Sequence, residues 1–214
     1  MTAEPVGPLV VALASLKGGV GKTTSAMHIA AHLAYAGERV LLADGDRIRT
    51  ATAWGRSGNL PFTVGGMASL SQAGKYTAVV IDSRSGLEDA DLLDLADSCA
   101  ALILPSTPDL GGMDKMAQTV EVLRAAGIAP TRYAAMLTMV RPGNDRELSD
   151  ARSALANAGI PVLTQTVRLS EAFRDANNAG TLVKDVRSNS LAKGLWFKYE
   201  RVTEEFIAMA GANA

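Results

Sequence analysis

Short, nearly continuous apolar runs alternate with segments of helical period along the chain. Residues 9–14, 40–43, 76–82, 100–104 and 132–140 are such runs. Runs of that length and apolarity mark strands covered on both faces. Residues 62–64 and 160–163 predict two further brief strands. Between them, helical spacing predicts helices over 24–36, 51–55, 88–96, 109–126, 145–158 and 171–179, and a last helix from 190. Gly37, Gly127, Gly159 and Gly180 stand where four of these helices should end. Pro105-Ser106-Thr107-Pro108 should terminate the strand over 100–104. Strand and helix in alternation predict an α/β fold: a doubly wound, mostly parallel sheet with helices on both faces. A flexible arm is expected over residues 1–8 and one domain over 9–214.

The stretch between the first strand and first helix carries the chemistry. Lys17, Gly18, Gly19, Val20, Gly21, Lys22, Thr23 and Thr24 form a glycine-rich loop in a strand–loop–helix context. Glycines let successive backbone N–H groups converge on an anion, and the helix N-terminus adds partial positive charge. Lys22 is placed to reach the β- and γ-phosphates of a nucleoside triphosphate, and the Thr23 hydroxyl to hold Mg²⁺. Leu16 stands where the generic G-x-x-x-x-G-K-[ST] pattern has its first glycine, and an extra lysine, Lys17, opens the loop. Two later strands run into acids. Asp44 and Asp46 follow the strand over 40–43, and Asp82 ends the strand over 76–82 as in a Walker B pattern, a Mg²⁺-holding position. Carboxylates at the carboxyl ends of parallel strands lie at the ligand crevice of an open α/β sheet.

Composition narrows the classes. The chain has 214 residues, 48% apolar and 20% charged, with net charge −1. Wholesale polyanion binding is therefore not expected, and nucleic-acid contact needs a local patch. The single cysteine, Cys99, excludes an intrachain disulfide and reads as a small buried hydrophobe. No apolar stretch reaches membrane-spanning length, so a cytoplasmic protein is expected. His28 and His32 are four apart on the first helix but lack a third ligand, so they read as ordinary helix residues. Met113, Met116, Val120 and Leu123 read as a core stripe, and Trp54 as a packing residue.

The run K-G-G-x-G-K-T-T with its leading lysine resembles the deviant Walker A motif of the ParA/MinD family of P-loop ATPases. The resemblance spans residues 10 to about 199 and implies ATP and Mg²⁺ as cofactors and a homodimer formed on ATP. It implies that Lys17 crosses the dimer to the partner's phosphates, that Asp46 positions the attacking water and that Asp44 lies near Mg²⁺. Arg47-Ile48 replaces the family's usual Pro-Gln, which affects the expected loop geometry. It also implies that Arg141 and Asn144 lie near the adenine. Arg84 is either close to phosphates or the dimer face, or a solvated loop arginine. A lone cysteine disfavours the cluster-carrying relatives. The N-terminus is not expected to carry a sequence-specific DNA-binding region, and the C-terminus lacks the basic tail of the membrane-bound MinD branch.

Residues 184–201 hold Lys184, Arg187, Lys193, Lys198 and Arg201 against Asp185 and Glu200. This is either a solvated helix face or a patch for non-specific DNA. The resemblance implies the second, with partition of plasmid or chromosome by a nucleoid-associated ATPase that a centromere-binding ParB-like protein releases. Positioning a protein cargo through an adaptor, a division-site role and a metabolic P-loop enzyme are the alternatives.

Overall fold

The computed structural model describes residues 7–211; the expected N-terminal arm lies almost wholly outside the described residues. Six strands make one sheet: β1 (Leu9–Leu13), β2 (Val40–Asp44), β3 (Thr63–Gly66), β4 (Ala78–Asp82), β5 (Ala101–Ser106) and β6 (Tyr133–Leu137). Every pairing is parallel, in the order β3-β2-β4-β1-β5-β6. The crossovers are α1 (Lys22–Tyr35), α2 (Thr50–Ser57), α3 (Asp89–Ser98) and α4 (Leu110–Ala125), with α5 (Asp145–Asn157), α6 (Glu171–Asn178) and α7 (Ala192–Gly211) following β6. A 3-10 helix (Met67–Lys75) joins β3 to β4, and another (Val183–Asp185) precedes α7.

Side chains alternate between the two faces of each strand. Val11, Leu13 and Val80 face α1, α2 and α7, whereas Ala12, Val79 and Ile81 face α3, α4 and α5. Both faces are covered, which is why the strands read as continuous apolar runs rather than alternating ones. The expected stripe on α4 is core, with Met116, Val120 and Leu123 buried. Helix α1 goes further than one apolar face. Ala26, Met27, Ile29, Ala30 and Ala31 are all fully buried, because α1 lies between the sheet and α7. Trp54 is buried and donates its Nε1–H to Thr181 O at 2.9 Å.

Two expectations change. Pro105 does not end its strand; β5 runs through Ser106, with Pro105 opposite Met136. Ile103 O accepts from Ala14 on the β1 side, and Ser106 O from Thr138 on the β6 side. By alternation the Pro105 nitrogen faces the β1 side, where the ladder has already ended at Ile103. A missing N–H is tolerated at such a position. Residues 160–163 form a single parallel bridge, Ala135 to Val162, rather than a strand. Arg132 supplies an unforeseen tie. Its guanidinium donates to Ala96 O at 2.7 Å and Ala100 O at 3.1 Å, satisfying carbonyls where α3 ends.

The two histidines belong to the core between α1 and α7. His28 Nδ1 lies 2.7 Å from Thr24 O, and Val183 N–H donates to His28 Nε2 at 3.1 Å. One nitrogen donates and the other accepts, so the ring is held neutral in a single tautomer. His32 Nε2 bonds Trp196 O at 3.1 Å, and its ring stacks on the indole with centroids 3.7 Å apart. Burial first of all holds each pKa down, to about 4 in both cases. A histidine with folded pKa below its unfolded value of about 6.5 contributes fully above that pH and loses its contribution as pH falls. The urea midpoint of unfolding should therefore fall between pH 6.5 and 4; a midpoint flat across that window would contradict the neutral assignment.

Candidate active site

The phosphate loop leaves β1 at Leu13 and ends at Gly21, the residue before α1. Gly19 and Gly21 have φ of 72° and 79°, a left-handed conformation in which a side chain would be strained. The loop is tied from several sides. Ser15 Oγ accepts from Lys17 N–H at 3.1 Å. Thr138, just past β6, donates to Val20 O at 2.8 Å. Ser25 Oγ bonds Gly21 O and the Tyr199 hydroxyl, both at 2.8 Å, so α7 braces the start of α1. Tyr199 is fully packed in the core, and burial pushes its phenol pKa up.

The two loop lysines part company. Lys22 is buried, and its Nζ donates to Ser85 Oγ at 3.0 Å. Burial lowers its pKa, and the charges of Asp82 and Asp46 oppose that. Lys17 turns toward the β5–α4 loop instead. Its Nζ lies 3.1 Å from Asp109 Oδ1 and 3.2 Å from Thr107 Oγ1. Asp109 also caps α4, accepting from Gly112 N–H at 2.9 Å. The Thr107 hydroxyl first, then Gly112 and Lys17, hold its carboxyl down at about 2.

The acids at the strand ends have different surroundings. Asp82 is fully buried, and neither carboxylate oxygen has a hydrogen-bond partner among the described residues. Burial pushes its pKa up to about 7, against the opposing effects of the Thr23 hydroxyl and Lys22. An unpartnered buried carboxylate beside a threonine at a helix N-terminus suits a hard cation that keeps most of its ligands as water and phosphate oxygens. Asp44, expected at the metal, has both oxygens engaged. Thr52 N–H and Oγ1 donate to Oδ2 at 2.8 and 2.7 Å, and Asp46 N–H donates to Oδ1 at 3.1 Å. It fixes the turn that carries Asp46. Arg49, which precedes α2, takes a left-handed φ of 54°. Gly45 sits where β2 and β4 converge, and a Cβ there would stand 3.0 Å from Asp82 O.

Arg141 and Asn144 line a cavity of about 380 Å³ with Lys17, Gly19 and Met139. A second, of about 290 Å³, lies behind the loop, bounded by Gly21, Thr24, Thr138, Arg168 and Ser170. Met139 belongs to both and has φ of 53°. Sequence reasoning missed Ser85, Thr138, Met139 and Asp109; among the described residues the two non-glycine residues with positive φ are Met139, which lines both cavities, and Arg49, three residues past Asp46. Arg84 pairs with Asp91 on α3. No group of three or more His, Cys, Asp or Glu side chains suited to a metal occurs among the described residues. Cys99 is buried and free, its thiol pushed up to about 12 by burial.

The five bases near the C-terminus are unequal. Lys184 is half-buried, paired with Asp185 at 3.1 Å and set over the Tyr35 ring at 5.1 Å. Arg201 pairs with Glu204 at 2.7 Å. Lys198 donates to Gln165 at 2.7 Å. Arg187 and Lys193 are exposed, and neither makes an ion pair among the described residues. Lys198 also lines a groove with Arg141 and Arg168.

A glycine-rich loop between β1 and α1, a buried loop lysine and acids at two neighbouring strand ends define a P-loop nucleotide-binding protein of the parallel α/β class. A family model described as the CobQ/CobB/MinD/ParA nucleotide binding domain matches residues 11–183, and the chain belongs to this family, on its ParA/MinD side. The "Maintenance of carboxysome distribution protein A" of Gloeobacter kilaueensis is 34% identical over 206 residues, 92% of this chain and 94% of the relative. "Protein ParA" of Rhizobium radiobacter is 25% identical over 186 residues, 79% and 84% of the two chains. An ATP complex of McdA from Cyanothece superposes with TM-score 0.72 at 14% identity over 94% of this chain and 96% of that one, a likeness of fold. No helix among the described residues is long and apolar enough to cross a membrane.

Asp82 gives a stability test. Its folded pKa lies above the unfolded value of 3.8. Its cost to the nucleotide-free protein is thus full above about pH 7 and fades as pH falls toward 4, opposite in sign to the histidines. Asp82→Asn should raise the unfolding free energy at pH 7.5 by about 1–3 kcal/mol and give little gain at pH 4, measured by urea titration. A loss of stability at pH 7.5 would contradict the unpartnered carboxylate.

Proposed function

We propose that the protein is a ParA-like ATPase of the plasmid- or chromosome-partitioning kind, a nucleotide switch that dimerises on ATP. The observation that carries this is the separation of the two loop lysines: Lys22 turned into its own site and Lys17 out toward the β5–α4 loop. The loop N–H groups from Gly18 to Thr24 receive the phosphates of ATP, and Lys22 neutralises the β- and γ-phosphates. Thr23 and Asp82 are the residues suited to Mg²⁺, which when bound neutralises phosphate charge. Asp46, on the turn that Asp44 and Thr52 hold, aligns water for in-line attack on the γ-phosphate. Lys17 of the second copy adds a cation to that transition state only in the dimer, by the logic of an arginine finger. Arg141 and Asn144 are assigned to the base side. Exposed Ile48, in the loop after β2, and exposed Leu110, at the start of α4 after β5, support association through the carboxyl end of the sheet.

The dimer binds DNA phosphates without sequence preference, and doubling a weak patch makes the contact avid. Of the five bases, Arg187, Lys193 and Lys198 are best suited, since Lys184 and Arg201 have acidic partners. A DNA-bound partner protein of the ParB type stimulates hydrolysis and releases the dimer, which places the ATPase on the nucleoid. One specific observation favours a second reading, positioning of a protein cargo. The relative matched at 34% identity over nearly its full length is named for carboxysome distribution. The two readings differ in what stimulates hydrolysis, a centromere-bound protein or a cargo-bound adaptor.

Random-sequence DNA should shift in a gel with ATP or a slowly hydrolysed analogue and not with ADP; indifference to nucleotide would count against the switch. Asp46→Ala should give an ATP-bound dimer with turnover reduced by about 100-fold or more, and hydrolysis at the normal rate would sink the assignment of Asp46.

A further inference from the structure

Lys17 is held by its own chain. Its ammonium contacts Asp109 and Thr107, both in the loop between β5 and α4, about ninety residues along the sequence. The N-terminus of a helix is a poor place for a cation, because the unpaired N–H groups there carry positive charge. Asp109 offsets that, since one of its oxygens takes both the Gly112 N–H and Lys17. The first turn of α4 is shaped for this arrangement. A Cβ on Gly112 would stand 2.2 Å from Thr107 O and 2.5 Å from Thr107 Oγ1, the hydroxyl that bonds Lys17. Glycine is among the poorest helix formers, so close approach of the loop is what accounts for it at this position.

We propose that Asp109, with Thr107, is a positioning residue for Lys17: it retains the lysine on its own protomer until a partner's triphosphate draws it away. The inference rests on the reading that Lys17 acts across the dimer. The Lys17 and Asp109 side chains are 35% and 49% exposed, so water screens the pair and the hold is weak and reversible. A triphosphate offers several charges against a single carboxylate and wins the competition; a free protomer offers nothing better than Asp109. Each dimer must release two such contacts, so the hold sets the protein concentration at which ATP drives association.

The test uses Asp109→Asn in the full chain. Asparagine keeps a side-chain oxygen to cap α4 and removes the charge. Sedimentation with a slowly hydrolysed ATP analogue should show the variant dimerising at about 3- to 10-fold lower protein concentration than the wild type. Added KCl should narrow that gap, because it screens the wild-type pair. A midpoint unmoved or raised, or a gap indifferent to salt, overturns the proposal. Asp109→Ser, also a strong uncharged cap, should behave alike and covers a folding defect specific to the amide. Lys17→Ala is run in parallel. If it dimerises like the wild type, the across-dimer reading fails and takes this one with it. If it does not dimerise while Asp109→Asn leaves the midpoint unmoved, only the positioning role fails.

Discussion

A carboxylate and an ammonium are buried together where β4 and the phosphate loop meet, and neither is satisfied by the protein alone. Asp82 has no hydrogen-bond partner among the described residues, and Lys22 has only the Ser85 hydroxyl. Burying charge without full pairing is costly unless a ligand completes the set. The rest of the fold supplies the stability that tolerates this. Both faces of the sheet are covered, α1 is enclosed by α7, and the loop between is tied at Ser15, Val20, Gly21 and Ser25. Charge left incomplete in a rigid frame leaves donors and acceptors free for a ligand to complete.

The frame is built from residues remote in sequence. Thr138 lies past the last strand and Tyr199 on the last helix, yet the first grips the phosphate loop at Val20 and the second the start of α1 at Ser25. Asp44 grips Thr52 across one turn and so orients the segment that presents Asp46. Arg49 and Met139 take left-handed conformations that non-glycine residues seldom adopt; Met139 lines both cavities, and Arg49 lies three residues past Asp46. Such conformations persist where surrounding contacts over-determine them.

Two lysines five residues apart end in opposite electrostatic settings. Lys22 is desolvated and faces Asp82 and Asp46. Lys17 stays partly in water against Asp109. A buried cation loses hydration and gains the nearby acids; an exposed one keeps hydration and remains exchangeable. The same loop thereby holds one buried charge and one partly solvated charge.

The strand runs, the helix periods and the phosphate loop were legible because each is local. A buried parallel strand must be apolar on both faces, and an anion cradle needs its glycines next to its lysine. The positions of Asp46 and Asp82 at the carboxyl ends of β2 and β4 could be read because each follows an apolar strand run. The hydrogen bonds of Asp44 could not be read, since Thr52 becomes its partner only when α2 folds back. Pro105 read as a stop because its neighbours across the sheet are unknown to the sequence. The basic residues near the C-terminus read as one patch, whereas packing pairs Lys184 and Arg201 with acids and leaves Arg187 and Lys193 exposed. The sequence by itself determined the class of fold, the family and the glycine-rich nucleotide-binding loop. Tertiary structure alone decided which lysine faces inward, which acid lacks a partner and which distant side chains brace the loop, because those depend on contacts between segments that only the sheet order brings together.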